Sequence, residues 1–162
     1  MENLEELKKK YEELGQKINE LENNLKNKNN RSRVGYDCKY YYINGYSEIA
    51  TNEECNCELD DGRYNIGNYF KTKEEGEKVL GKLKIYTKLK DLANRLSENE
   101  PLDWDNIDQD KFCIYNENNR LLQDSRCYTQ NLGNIYCTCE DFLEIAIKEI
   151  GEKKLKELFE NE

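Results

Sequence analysis

The cysteines are the residues whose spacing most directly suggests chemistry in this sequence. Seven are present, and four of them form two Cys-x-Cys pairs, at Cys55–Cys57 and Cys137–Cys139. Four thiolates could bind zinc, but structural zinc sites mostly use Cys-x-x-Cys spacing. The second pair also aligns with Lys71 and Lys73 in the internal repeat described below, positions that we expect to face solvent. The sequence therefore predicts no metal site and no cofactor.

The chain contains no histidine. Ser–His and Cys–His nucleophile systems are thereby excluded, together with the commonest general base and the commonest metal ligand. Catalysis by carboxylates alone stays open. The composition predicts a protein that is not an enzyme and has no catalytic residue.

Aspartates surround the single tryptophan, Trp104. Their spacing does not match a calcium-binding EF-hand loop, which needs a glycine at its sixth position and a glutamate at its twelfth. We interpret this stretch as a turn that packs Trp104 on the core, and an acidic contact patch is the alternative. The aspartates are Asp103, Asp105, Asp108 and Asp110.

The charge balance limits the class of partner. Thirty-four acidic residues against 25 basic ones give a net charge of -9. Because such a surface repels phosphates, direct binding of duplex nucleic acid is not expected. Contact with a basic protein surface, imitation of a nucleic acid and plain solubility all remain open.

Localisation follows from what the sequence lacks. No apolar run approaches the roughly 18 residues of a membrane span, and the charged N-terminus is unlike a signal peptide. The odd number of cysteines also favours reduced thiols. We expect a cytoplasmic protein with no membrane partner.

A small nucleotide is the ligand class that stacking aromatics and cations would bind. On this ground we select three aromatic and two basic candidates, of which Tyr41 and Tyr115 lie on predicted strand faces that point away from the core. The five ligand candidates are Tyr41, Trp104, Tyr115, Arg63 and Arg126.

The N-terminal segment, residues 1–30, has a heptad pattern typical of a coiled coil. A lone helix with so narrow an apolar stripe is marginal in water, so the stripe must be buried. Self-association into a homo-oligomer is the main hypothesis, and docking on the chain's own domain is the alternative. The predicted seam comprises Leu4, Leu7, Tyr11, Leu14, Ile18, Leu21 and Leu25.

After a predicted linker at 31–35, residues 36–162 contain an internal repeat. Asn65–Glu75 aligns with Asn131–Asp141, and Lys39–Tyr42 aligns with Lys111–Ile114. The fold class predicted is α+β, with two diverged β-β-β-α copies, about 36–99 and 109–160, forming one domain behind the N-terminal helix. Strand alternation places Tyr40, Tyr42, Phe112 and Ile114 in the core.

Local signals mark several boundaries within these copies. Asn44-Gly45 predicts a hairpin turn, and Asp60-Asp61-Gly62 predicts a polar loop. Thr72 with Glu75 predicts a capping box at the start of a long helix that ends before Pro101. Thr138 and Asp141 are predicted to cap the second helix, which Gly151 ends.

Several segments resemble a class of small proteins from phages and prophages of low-GC Gram-positive bacteria. The segments are Gly67–Glu75, Leu83–Tyr86, Asp103-Trp104 and Ala146–Gly151. The class has no settled activity, so the resemblance implies a phage context and transfers no site residues.

The function predicted is that of a non-enzymatic phage counter-defence protein. It would inhibit a host immune nuclease complex such as CRISPR-Cas, or sequester a nucleotide immune signal. The alternative is an oligomeric adaptor that docks another phage or host protein.

Overall fold

The computed structural model describes residues 11, 14, 15 and 17 and residues 32–159. Within 32–159 it has two small antiparallel sheets and four helices, which confirms the α+β class. The elements are β1 Lys39–Ile43, β2 Ile49–Glu53, α1 Glu58–Asn65, α2 Lys73–Leu96, β3 Phe112–Glu117, β4 Arg120–Asp124, β5 Tyr136–Cys137, α3 Phe142–Ile150 and α4 Glu152–Phe159.

The described residues fall into two compact units. The first unit takes in the described residues up to Tyr42 together with Thr51–Lys71. The second unit takes in Ile43–Ala50 and the described residues from Thr72 onward.

β1 and β2 form an antiparallel hairpin, as the Asn44-Gly45 signal predicts. The Asn44 side-chain oxygen accepts hydrogen bonds from the backbone nitrogens of Tyr46 and Glu48, at 2.9 and 3.1 Å. The left-handed residue of this turn is Ser47, at φ 59°, rather than the glycine. Asparagine thus supports the turn with its side chain, a role it often takes.

The predicted polar loop around Asp60-Asp61-Gly62 is wrong, because these residues lie inside α1. Acidic residues fill the first turn of this helix, where its dipole favours negative charge. Cys57 is the N-cap residue, and the Asp60 carboxylate accepts a hydrogen bond from the Cys57 backbone nitrogen at 3.4 Å. Cysteine and aspartate are only a weak sequence signal for the start of a helix. The neighbouring residues, which favour turns, hid this signal.

The second sheet has the strand order β4-β3-β5. The turn between β3 and β4 consists of Asn118 and Asn119, both with positive φ, at 50° and 61°. This is the backbone conformation that matches the twist of a two-residue hairpin. β5 pairs Tyr136 with Cys113, and in the first unit an isolated bridge pairs Phe70 with Tyr41.

α2 begins and ends where the sequence predicts. The Thr72 hydroxyl accepts a hydrogen bond from the Glu75 backbone nitrogen at 3.2 Å, and the Glu75 carboxylate accepts one from the Thr72 nitrogen. The helix contributes Leu89, Leu92 and Ala93 to the core of the second unit. That core is completed by β3, β5, α3 and α4.

The capping predicted for α3 is only partly right. Asp141 occupies the N-cap position but makes no side-chain cap. Thr138 instead donates to the Glu100 carbonyl at 2.7 Å, and the Gln123 side chain accepts from the Leu143 nitrogen at 2.7 Å. Gly151 ends the helix at φ 99°, as predicted.

Most residues assigned to the core are buried. Tyr40, Phe112 and Ile114 are buried, whereas Tyr42 is half-buried. The expectation that Cys137 faces solvent is wrong, since its side chain is fully buried beside α2. In the alignment of the two copies, the buried Cys137 of β5 corresponds to Lys71, which is exposed.

The predicted coiled-coil seam lies mostly outside the described residues. Leu4, Leu7, Ile18, Leu21 and Leu25 fall there, and the sequence prediction for them stands as made. The two described members, Tyr11 and Leu14, are helical and 80% and 59% exposed.

The described part of the predicted linker, residues 32–35, has no helix or strand and is part of the first unit. The Arg33 guanidinium contacts Asp61 at 2.7 Å, and the Val34 nitrogen donates to the Tyr69 hydroxyl at 3.2 Å. Among the described residues, no helix is long and apolar enough to cross a membrane.

Candidate functional site

The five ligand candidates do not converge on one place. Tyr115 and Arg126 line the same cleft of the second unit, and Trp104 lines another cleft of that unit. Tyr41 and Arg63 belong to the first unit. The cleft shared by Tyr115 and Arg126 is called the β3–β4 cleft below.

The β3–β4 cleft has a volume of about 520 Å³, within the range of small-molecule sites. Tyr115 projects from β3, where it pairs in register with Leu122 of β4. Arg126 follows β4 and bridges to Lys111, which immediately precedes β3. Sequence reasoning missed Tyr128, a second tyrosine of this cleft that is 67% exposed.

The charges in the β3–β4 cleft are one guanidinium and one carboxylate. The Asp124 carboxylate accepts a hydrogen bond from the Arg126 backbone nitrogen at 3.1 Å, which fixes the turn after β4. Within the described part of the chain, the Arg126 side chain makes no ion pair or hydrogen bond. The guanidinium is therefore available to an anionic group in the cleft.

Two thiols also line this cleft. The Cys127 Sγ lies 3.2 Å from the Cys113 Sγ. Burial, together with the neighbouring Cys127, raises the pKa of Cys113 to about 12. Because the thiolate is the nucleophile, this raised pKa disfavours a nucleophilic role for Cys113 at neutral pH.

Trp104 is held in place by its own loop. Its ring meets the Tyr136 ring edge-on, with centroids 4.9 Å apart. The buried Lys111 places its Nζ 5.7 Å from the Trp104 ring centroid and donates to the carbonyls of Asn106 and Gln109. These contacts agree with the interpretation of a turn that packs the tryptophan.

Tyr41 and Arg63 are both engaged within the first unit. Tyr41 exchanges two backbone hydrogen bonds with Phe70, each of 2.8 Å, and is half-buried. The Arg63 guanidinium lies 3.6 Å from the Tyr42 ring centroid and donates to the Tyr40 hydroxyl at 2.5 Å. This arrangement favours a structural role for Arg63.

Asp60 is a candidate site residue of the first unit that sequence reasoning missed. It is fully buried, and its Oδ1 accepts a hydrogen bond from the Tyr40 hydroxyl at 2.6 Å. Its Oδ2 accepts from the thiols of Cys55 and Cys57 at 3.1 and 3.3 Å. The signal that could have found it is the pattern Cys55-x-Cys57-x-x-Asp60 at a helix start.

The ionisation of this group is set by its hydrogen bonds. Burial alone would raise the pKa of Asp60, but the hydrogen bonds from Tyr40 and from the nitrogen and thiol of Cys55 outweigh it. The pKa of the Asp60 carboxyl therefore lies well below its usual range. The hydrogen bond with Cys57, followed by that with Asp60, raises the pKa of Cys55 to about 12.

Backbone conformation brings the two thiols to one side. Asn56 is left-handed at φ 55°, a conformation that asparagine tolerates. The nitrogens of Cys55 and Cys57 consequently both point at Asp60 Oδ2, at 2.9 and 3.4 Å. Two thiols and a carboxylate so placed are a ligand set that could hold a metal ion.

Comparison of the chain with protein-family models, with curated proteins and with solved structures found no match.

Proposed function

We propose that this chain is a non-enzymatic binding protein that holds a nucleotide in the β3–β4 cleft, and that a phage uses it to sequester a nucleotide immune signal. The observation that carries the proposal is the exposed guanidinium of Arg126 in one cleft with Tyr115 and Tyr128. A cytoplasmic site of action in the bacterial host belongs to the same proposal.

The aromatic residues supply the affinity for a base. Stacking of a base on an aromatic side chain is worth about 1–3 kcal/mol and requires an exposed ring face. Tyr115 and Tyr128 are 39% and 67% exposed. Asn131 and Asn134 also line the cleft and present amides suited to the polar edge of a base.

The arginine supplies the affinity for a phosphate. A guanidinium binds phosphate oxygens through charge-assisted hydrogen bonds, often two at once. The net charge of -9 opposes an anionic ligand at long range, but salt screens exposed charges beyond about 8 Å. Within the cleft, the Arg126 guanidinium attracts a phosphate and the Asp124 carboxylate opposes it, so direct contact with Arg126 has to supply the affinity.

Isothermal titration of the full chain against cyclic mono- and dinucleotides tests this proposal. We expect one nucleotide to bind, and Tyr115→Ala and Arg126→Gln each to weaken its affinity by about 10-fold or more. Tyr46→Ala is the matched control, because Tyr46 is 86% exposed and does not line the cleft. Absence of binding by every nucleotide would remove the proposal.

Exposed acidic residues favour a second candidate function, inhibition of a host nuclease complex through its basic surface. Asp103, Asp105, Asp108 and Asp110 are all exposed, beside the 77% exposed Ile107. An RNA-guided cleavage assay tests this candidate. We expect inhibition by the chain, and loss of inhibition when the four aspartates are changed to asparagine.

We further propose that the segments from β1 to α2 and from β3 to α3 are diverged copies of one unit. The pairs Tyr41–Phe70 and Cys113–Tyr136 occupy matching positions in the sequence alignment of the copies. Gly67 and Gly133, also aligned, both have positive φ, at 82° and 89°. α1 has no counterpart in the second copy.

The N-terminal heptads support a proposal of self-association, which would gather several β3–β4 clefts in one particle. Such an assembly suits a protein that sequesters a signal, because each particle would hold several nucleotides. It also suits the alternative role of an oligomeric adaptor that docks another phage or host protein.

A further inference from the structure

Two thiols and one carboxylate converge at the start of α1. The Sγ atoms of Cys55 and Cys57 and a carboxylate oxygen of Asp60 all lie within 4.8 Å of one another. The distances from Oδ2 to the two sulfurs are 3.1 and 3.3 Å. In a tetrahedral zinc site, bond lengths of about 2.3 Å to sulfur and about 2.0 Å to oxygen separate these ligand atoms by roughly 3.5 Å.

We propose that Cys55, Cys57 and Asp60 form a binding site for a thiophilic divalent cation of the Zn²⁺ class. Both oxygen–sulfur distances already lie within a few tenths of an ångström of the edges of such a tetrahedron, and the two sulfurs lie within 4.8 Å of each other. On binding, each thiol gives its proton to a base of the solution, and a metal–sulfur bond replaces its hydrogen bond to Asp60. No electron is transferred.

The carboxylate is oriented as metal ligands commonly are, by hydrogen bonds to its other oxygen. Asp60 Oδ1 accepts from the Tyr40 hydroxyl at 2.6 Å and from the Asn52 amide at 3.4 Å. Tyr40 is in turn 2.5 Å from an Arg63 guanidinium nitrogen. Oδ2 faces the two sulfurs and also accepts from the backbone nitrogens of Cys55 and Cys57, at 2.9 and 3.4 Å, which fix its position.

The charges of the site suit a divalent cation. Two thiolates and one carboxylate give three negative charges, which a divalent ion reduces to one. Arg63 faces the carboxylate through Tyr40 and offsets part of the remainder. A cation is therefore the natural partner of a carboxylate that is fully buried.

The site is open on its sulfur side. Cys55 is exposed and Cys57 is half-buried, so an ion can reach both sulfurs from solvent. Three protein ligands leave a fourth tetrahedral position for water or for a ligand atom of a partner, which is the pattern of zinc sites that are not purely structural. The site shares no residue with the β3–β4 cleft, and its test is independent of the proposed nucleotide binding.

The experiment is titration of the reduced full chain with Cd²⁺, a probe whose bonds to thiolates absorb in the near ultraviolet, followed by competition with Zn²⁺. We expect one equivalent to bind with this absorption, and Zn²⁺ to displace the probe. Cys55→Ser and Cys57→Ser should each weaken binding by about 10-fold or more and reduce the absorption per ion.

Matched controls separate this site from the other thiols. Cys38→Ser changes an exposed thiol of the same unit, and Cys127→Ser changes a thiol of the β3–β4 cleft; both should leave binding unchanged. Serine at position 55 keeps a donor to Asp60 on an exposed side chain, so this variant is expected to fold, which circular dichroism checks. Wild-type affinity in Cys55→Ser and Cys57→Ser, or absence of the absorption in the wild-type chain, overturns the proposal.

Discussion

At the scale of single residues, the first unit depends on a buried carboxylate and the groups that compensate it. Glu54 is 1% exposed and would be costly to bury alone. It accepts a hydrogen bond from the Tyr69 hydroxyl at 2.6 Å and pairs with the Arg33 Nε at 3.2 Å. Tyr69 also stacks on Tyr40, with ring centroids 4.1 Å apart.

Tyr69→Phe should destabilise the protein by about 1–3 kcal/mol, because it removes the hydroxyl from a buried carboxylate and keeps the ring. It also leaves the Val34 nitrogen without its acceptor. Tyr46→Phe is the control, and its change should stay within about 0.5 kcal/mol on an exposed side chain. Urea unfolding of both variants measures the difference, and equal midpoints would contradict the role given to Tyr69.

Stability should fall as the pH rises from about 9 to 12. Burial, followed by the hydrogen bond to Glu54, raises the pKa of Tyr69 from 10.0 to about 12, and the pKa of Cys113 rises from 9.0 to about 12. In this window the unfolded chain has released these protons while the folded chain keeps them, so unfolding is favoured. Tyr69→Phe should show a shallower decline between pH 10 and 12, measured by thermal unfolding at each pH.

At the scale of elements, glycine has opposite roles at the end and in the middle of a helix. Gly151 joins α3 to α4 at φ 99° and ψ 134°, a conformation that side chains rarely adopt. Gly81 lies inside α2, where an added Cβ would meet no atom within 4 Å. The backbone conformation at Gly151 requires glycine, whereas Gly81 only weakens its helix.

Gly151→Ala should lower the free energy of unfolding by about 1–3 kcal/mol. Gly81→Ala, its matched control, should raise that free energy by up to about 1 kcal/mol through helix propensity. Chemical denaturation measures both changes. A stabilising effect of alanine at both positions would show that the turn between α3 and α4 is not held in its left-handed conformation.

At the scale of the whole molecule, the N-terminal heptads are expected to set the oligomeric state. We predict that the full chain sediments as an oligomer and that a Leu14→Asp, Leu21→Asp double variant sediments as a monomer. Leu132→Asp is the control, because Leu132 is fully exposed outside the predicted seam. Deletion of the N-terminal segment is a poorer test if it also removes Arg33. The loss of the Arg33 contacts with Glu54 and Asp61 would then disturb the first unit itself.

Sequence by itself determined the features that depend on neighbouring residues. The capping box at Thr72, the stop at Gly151 and the turn signal at Asn44 each act within a few positions of the chain. The strand pattern also predicted the burial of Tyr40 and Phe112, but β3 does not alternate, because Cys113 is buried as well as Phe112 and Ile114. Local backbone geometry limits such features to a few outcomes, so they can be predicted from the amino-acid sequence.

Tertiary structure alone decided which distant side chains share an environment. Cys137 is buried because β5 pairs with β3, and Asp60 is tied to Tyr40, twenty positions earlier, by a hydrogen bond. The same holds for Tyr115 and Arg126, which β3 and the chain after β4 bring to one cleft. The sequence pattern cannot rank such pairings, because the free energies of burial and hydrogen bonding between remote segments depend on the assembled fold.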